Sequence, residues 1–276
     1  MTVGVSRSTR QAVQRFLPMG EELGESLPDY EAVGNNIKAS YGQVADQYRR
    51  DDEIEVTSEN HQRLHKILGQ ISSSFGRAIS VLDVGCGTGR HFHCLQNVAR
   101  LVGVDVSPKM LQAAENPVRS EDVSATEIRL ICGNIFLIPF PVQSFDFIYS
   151  LGMFGHGCPV NVSICNKLHD LLVPGGQLFF DVVDMKCLPT IARFRKAARN
   201  FIYPRLPKRL QEVLDGRAKG LPFFGLDRKK LERIMRATRF ADFSISPRVC
   251  KSPLWEGSHL ECQARKSGGM DVPQAT

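Results

Sequence analysis

The chain has 276 residues, 42% of them hydrophobic and 23% charged, enough to bury one sizeable core and still cover its surface with charge. No stretch approaches the roughly 18 to 20 uninterrupted apolar residues of a membrane span, and residues 1–20 lack the apolar run of a signal peptide, so a cytoplasmic protein with no membrane span is expected. The formal charge of +6 is modest, and eight cysteines standing singly, without a CxxC pair, read as reduced thiols rather than a disulfide framework.

Residues 1–34 read as a loosely attached arm with one short amphipathic turn at Val13, Phe16 and Leu17. Tyr41, Val44, Ala45 and Tyr48, then Leu64, Ile67, Leu68 and Ile71, recur at helical spacing and predict two cap helices within 35–75, parted by the acidic stretch Asp51 to Glu55. Residues 76–185 then alternate as a parallel sheet does. Strands are expected over 80–84, 101–105, 127–132, 145–150 and 177–183, with helices after Gly89, over 108–114 and over 162–172. An insertion, 186–225, carries basic and apolar residues at helical spacing. A helix over 226–238 and two strands near 243–246 and 259–264 finish the core by 266, in antiparallel fashion, and 267–276 is a flexible tail.

The first strand runs into Asp83-Val84-Gly85-Cys86-Gly87-Thr88-Gly89. Glycines there permit positive φ and close approach of a ligand to the backbone. The pattern is GxGxG rather than the GxGxxG that holds a dinucleotide pyrophosphate, so it suits a ligand without one. The second strand ends on Asp105, where a doubly wound sheet reads ribose hydroxyls; the plainer role is to cap the next helix. His91, His93 and Cys94 have metal-ligand chemistry, but they follow the glycine loop where a helix should begin, and no second ligand pair is evident, so no metal is expected. Gly133-Asn134-Ile135, the Ile138-Pro139-Phe140-Pro141 turn, Ser144-Phe145-Asp146 and Pro174-Gly175-Gly176 complete the set.

In combination these motifs resemble the class I S-adenosylmethionine-dependent methyltransferases, especially the subgroup of ubiquinone/menaquinone C-methyltransferases and many small-molecule methyltransferases. The resemblance covers about residues 75–183. It implies an α/β fold, a Rossmann-like seven-stranded sheet with N-terminal cap helices and a helical lid after strand five, and S-adenosyl-L-methionine as cofactor. Gly85, Gly87 and Gly89 would line its methionine and ribose portion, Asp105 would accept from both ribose hydroxyls, and Val106 and Met110 would flank the adenine. Asn134 stands where the family usually has aspartate, and its carbonyl can still accept from the adenine amino group. Asp83, Cys86, Ile135 and Leu151 complete the cofactor set.

The segment after strand four would lie beside the sulfonium. His156 there is either a general base or a residue that only satisfies the loop, and Tyr41 and Tyr48 either close over the sulfonium as catalytic groups or pack as core. Cys158 reads as a plain loop cysteine. Met153 and Phe154, with Phe201, Tyr203 and Phe223 of the insertion, are candidates to hold the acceptor. The insertion itself reads as a solvated positive face, as a pocket for a carboxylate or prenyl diphosphate, or as a nucleic-acid or membrane surface. The expected activity is methylation of a small, largely apolar metabolite at C, O or N. An anionic acceptor such as a prenyl diphosphate or RNA is the alternative, and a non-catalytic cofactor-binding regulator the third. Nucleic acid is not the expected partner, and a homo-oligomer is left open.

Overall fold

A computed structural model describes residues 34, 35, 38, 41, 44–155, 158–185, 224–254 and 256–268. Most of the arm, of the insertion and of the tail lies outside the described residues, as do His156, Phe201, Tyr203 and Phe223. The helices α1 (Ala45–Glu55) and α2 (Glu59–Ser73) lead into the sheet. The acidic stretch expected to part them belongs to α1 instead. Asp52 is fully buried, accepting from Thr88 Oγ1 at 2.5 Å and pairing with Arg90 at 2.6 Å, and Glu55 accepts from Ser252 Oγ at 2.6 Å. Acids with such partners can stay in a buried helix. The break falls at 56–58, where the Ser58 side chain accepts from His61 N and caps α2.

The strands are β1 (Ile79–Val84), β2 (Val98–Asp105), β3 (Glu127–Cys132), β4 (Phe145–Phe154), β5 (Leu172–Val183), β6 (Asp242–Lys251) and β7 (Glu256–Arg265). The helices among them are α3 (Pro108–Ala114), α4 (Val162–Leu171) and α5 (Arg228–Arg236). The sheet order is β3-β2-β1-β4-β5-β7-β6; β1 to β5 are parallel, and β7 runs antiparallel to both its neighbours. The chain reverses its direction of winding between β1 and β4, and in an open parallel sheet that switch point leaves a crevice at the carboxyl ends of the strands.

Strand alternation sends Ile79, Val81, Phe147 and Tyr149 to one face, where they meet Leu64, Leu68 and Ile71 of α2. Leu82, Val84, Ile148 and Leu178 go to the other, against Ile164 and Leu168 of α4 and Leu231 and Met235 of α5. One expected element is missing. After Gly89 there is no α-helix, only a 3-10 turn over Phe92–Cys94, because residues 85–89 are spent in the glycine loop and β2 already begins at Val98. Parallel strands are usually joined through a full helix; here α2, which precedes β1, lies against the short turn instead. Strands β2 and β4 are also longer than their apolar runs suggest, extended by backbone pairing with neighbours. No described helix is long and apolar enough to cross a membrane.

Candidate active site

At the crevice lies a cavity of about 750 Å³. Its floor is the glycine loop. Gly85, Gly87 and Gly89 have φ of 76°, 55° and 76°, all left-handed, but their surroundings differ. A Cβ on Gly87 would meet nothing within 4 Å, so that residue faces open space on the cavity wall. A Cβ on Gly89 would stand 2.7 Å from the Phe92 ring, so this glycine makes room for core packing and is not on the cavity wall.

Asp105, at the end of β2, holds the loop in shape. Its Oδ2 accepts from Gly87 N at 3.0 Å and its Oδ1 from Ser107 N at 2.8 Å, while the same carboxylate lines the cavity. Burial pushes its pKa up, and the backbone N–H donors of Ser107, Gly87 and Val106 pull against that. The capping of α3 falls to Ser107, whose hydroxyl accepts from Met110 N. Cys86, Val106, Met110, Asn134, Ile135 and Leu151 also line the cavity, as the resemblance implies. Asn134 Oδ1 accepts from Phe136 N at 3.0 Å, which orients the amide at the cavity wall.

Asp83 does not reach the cavity. It is buried, pushed up to about 8 by desolvation, with Tyr149 beside it pulling down and the Asp105 charge pushing up. Phe154 is likewise core: alternation along β4 points it away from Met153, and its ring packs edge to face on Phe180 at 5.4 Å. Met153 is on the cavity wall. Cys158 lines the cavity too, but burial lifts its thiol to about 12, which keeps it protonated and unreactive at neutral pH.

Tyr41 and Tyr48 both face the cavity, their rings edge to face at 5.7 Å. Burial, reinforced by Tyr48, raises the Tyr41 hydroxyl pKa, so it stays a neutral hydrogen-bond donor. Opposite them is a pair that sequence reasoning missed. His259 Nδ1, on β7, meets Asp181 Oδ2, on β5, at 2.6 Å, and Asp181 Oδ1 accepts from Gly152 N at 2.7 Å. Both side chains line the cavity. Burial lowers the His259 pKa, but the hydrogen bond and charge of Asp181 outweigh it and the net shift is upward. Neither residue stands in a motif, and only the pairing of β5 with β7 brings them together.

Residues 81–176 match the methyltransferase domain family, a span that holds the glycine loop and Asp105 just described. The chain carries a class I S-adenosylmethionine-dependent methyltransferase domain. An O-methyltransferase of Aspergillus nomiae is 28% identical to this methyltransferase over 165 residues, 58% of this chain and 71% of the relative. A demethylmenaquinone methyltransferase of Geobacillus stearothermophilus is 25% identical over 230 residues, 70% of this chain and 94% of the relative. Among solved structures, the 1,6-didemethyltoxoflavin-N1-methyltransferase of Burkholderia thailandensis, bound to S-adenosylhomocysteine, has the same fold at a TM-score of 0.57. It is 16% identical, with 88% of this chain and 92% of that one covered.

The residues present fit the cofactor. The open face of Gly87 admits a ligand against the backbone, Asp105 offers carboxylate lone pairs at the end of β2, and Val106, Met110 and Ile135 supply apolar walls. Bound S-adenosylmethionine supplies a methyl group made electrophilic by its sulfonium.

Proposed function

We propose that this methyltransferase alkylates a small, uncharged and largely apolar organic acceptor bound in the same cavity, at O, N or C. The observation that carries the reading is the make-up of the wall beyond the cofactor set. It combines Tyr41, Tyr48, Met153, Val183 and Leu254 with the His259–Asp181 pair. Apolar and aromatic side chains desolvate an acceptor, and a few convergent polar groups orient it. The names of the two relatives, an O-methyltransferase and a demethylmenaquinone methyltransferase, support acceptors of this kind.

An anionic acceptor would meet the wrong field. Asp51, Glu55, Asp105, Asp181, Asp184 and Glu256 line the cavity, and among the described residues Arg90 is the one Arg or Lys there, already paired with Asp52. A prenyl diphosphate or RNA would have to be held by the basic 186–225 segment alone.

The chain contributes positioning first: the loop and Asp105 fix the donor while the wall holds the acceptor in line and excludes water. Where the acceptor carries a proton, His259 takes it, with Asp181 orienting the ring through Nδ1 and tying it to the backbone at Gly152. His156 is the competing base. Transfer of labelled methyl from S-adenosylmethionine to a panel of neutral phenols and amines, against prenyl diphosphates and RNA, tests the acceptor class. Turnover confined to anionic acceptors contradicts it. Comparing His156→Ala with His259→Asn assigns the base: the variant that loses the acidic limb of the rate profile carried the proton.

A further inference from the structure

The missing helix after β1 leaves a distinctive arrangement. On α2, His61 and His65 stand four residues apart, on one face of the helix and one turn from each other. The short turn in place of the expected helix brings His93 and Cys94 against that face. The ligand atoms of all four residues lie within 4.8 Å of one another. His61 Nε2 and His93 Nε2 are 3.2 Å apart, and Cys94 Sγ is 3.7 Å from the first and 3.8 Å from the second.

The separations among His61, His93 and Cys94 are those of three corners of a tetrahedral zinc site, and His65 stands within reach of the fourth. With Zn–N near 2.05 Å and Zn–S near 2.3 Å, tetrahedral angles require N···N of about 3.3 Å and N···S of about 3.6 Å. Hydrogen bonding alone explains the convergence poorly. Two neutral imidazole nitrogens facing each other share a single hydrogen, and a thiol beside both adds one weak donor. His61, His93 and Cys94 are buried, whereas His65 is exposed and leaves an approach from solvent.

We infer that His61, His65, His93 and Cys94 form a structural site for one zinc ion, which clamps α2 to the segment between the glycine loop and β2. Three imidazoles and one thiolate suit zinc better than magnesium or calcium, and four protein ligands leave no open position for catalysis. On binding, the Cys94 thiol gives its proton to solvent. The clamp takes the place of the helix that normally packs beside the glycine loop. It reaches the cofactor cavity through His61, which lines the wall and stacks on His91 at 5.2 Å between ring centroids.

The test uses the untagged full chain, stripped with a chelator and titrated with Zn²⁺ in competition with a chromophoric chelator, then separately with Co²⁺. The expected results are one Zn²⁺ per chain, a rise in melting temperature on binding, and a cobalt spectrum with the intense visible bands of tetrahedral coordination plus a thiolate charge-transfer band. Cys94→Ser removes the charge-transfer band. His65→Ala, at an exposed position, keeps the fold by circular dichroism and weakens zinc by more than about tenfold. A folded chain that retains no stoichiometric zinc, or that binds it equally well with both substitutions combined, overturns the inference.

Discussion

Asp105 has two tasks, and its replacement separates this site from a generic fold. Its carboxylate faces the cavity and also accepts from the Gly87 and Ser107 backbone, so Asp105→Ala removes an ionised acceptor and slackens the loop together. Loss of hydrogen bonds to a charged group predicts weaker S-adenosylmethionine binding by about 1.5 to 3 kcal/mol, read by calorimetry. Unchanged affinity would take Asp105 out of the site. For His259, the sign of the pH effect follows from Asp181. Because the folded pKa is raised, the ring is protonated over a wider range and acts as base only above that value, so kcat climbs with pH through it. Asp181→Asn removes the charge and shifts this limb to lower pH. The same raised pKa makes the ion pair stabilising below the ordinary histidine range, a contribution lost as pH rises through the folded value. His259→Asn should cut kcat by about 10²- to 10⁴-fold with little change in cofactor affinity; full kcat in that variant would leave positioning as the main source of rate.

At the scale of elements, α2 carries much of the packing on its side of the sheet. Leu68 is wholly buried among Val81, Phe147 and their neighbours, so Leu68→Ala should cost about 2 to 5 kcal/mol in chemical denaturation. Leu137, 57% exposed, should cost less than about 0.5 kcal/mol on the same change. Equal losses at the two positions would contradict the placement of α2. The strands and α3 were legible because buried parallel strands read as short apolar runs and Ser107-Pro108 is an N-cap followed by a first-turn proline. The short turn that replaces the expected helix after Gly89 was not. Expectation there rested on how such crossovers usually run, whereas the spacing from Gly89 to Val98 leaves room for one turn. That same misreading hid the ligand pair on α2, since His61 and His65 become neighbours of His93 and Cys94 only once the turn replaces the helix. Asp51 to Glu55 were misjudged for a related reason: partners at Thr88, Arg90 and Ser252 lie far along the chain and cannot be read from local composition.

For the whole molecule, the alternation of short apolar runs with helical spacing marked a parallel sheet and the family resemblance implied its Rossmann-like, seven-stranded form, while the strand order and the crevice between β1 and β4, where the glycine loop and Asp105 lie, came from the structure. The acceptor side was far less legible, because its wall is assembled from α1, β4, β5 and β7, and His259 and Asp181 belong to no linear pattern. The central claim is that the cavity over Gly87 is the S-adenosylmethionine site, and one titration addresses it most directly. S-adenosylmethionine titrated into the full chain by calorimetry should bind at one site per chain. Gly87→Val should abolish that binding, since its side chain enters the open cavity, while the left-handed φ of 55° costs about 1 to 2 kcal/mol of stability or somewhat more for a β-branched residue, visible as a lower melting temperature without ligand. Absence of binding by the native chain, or undiminished binding by a folded Gly87→Val variant, would contradict the account.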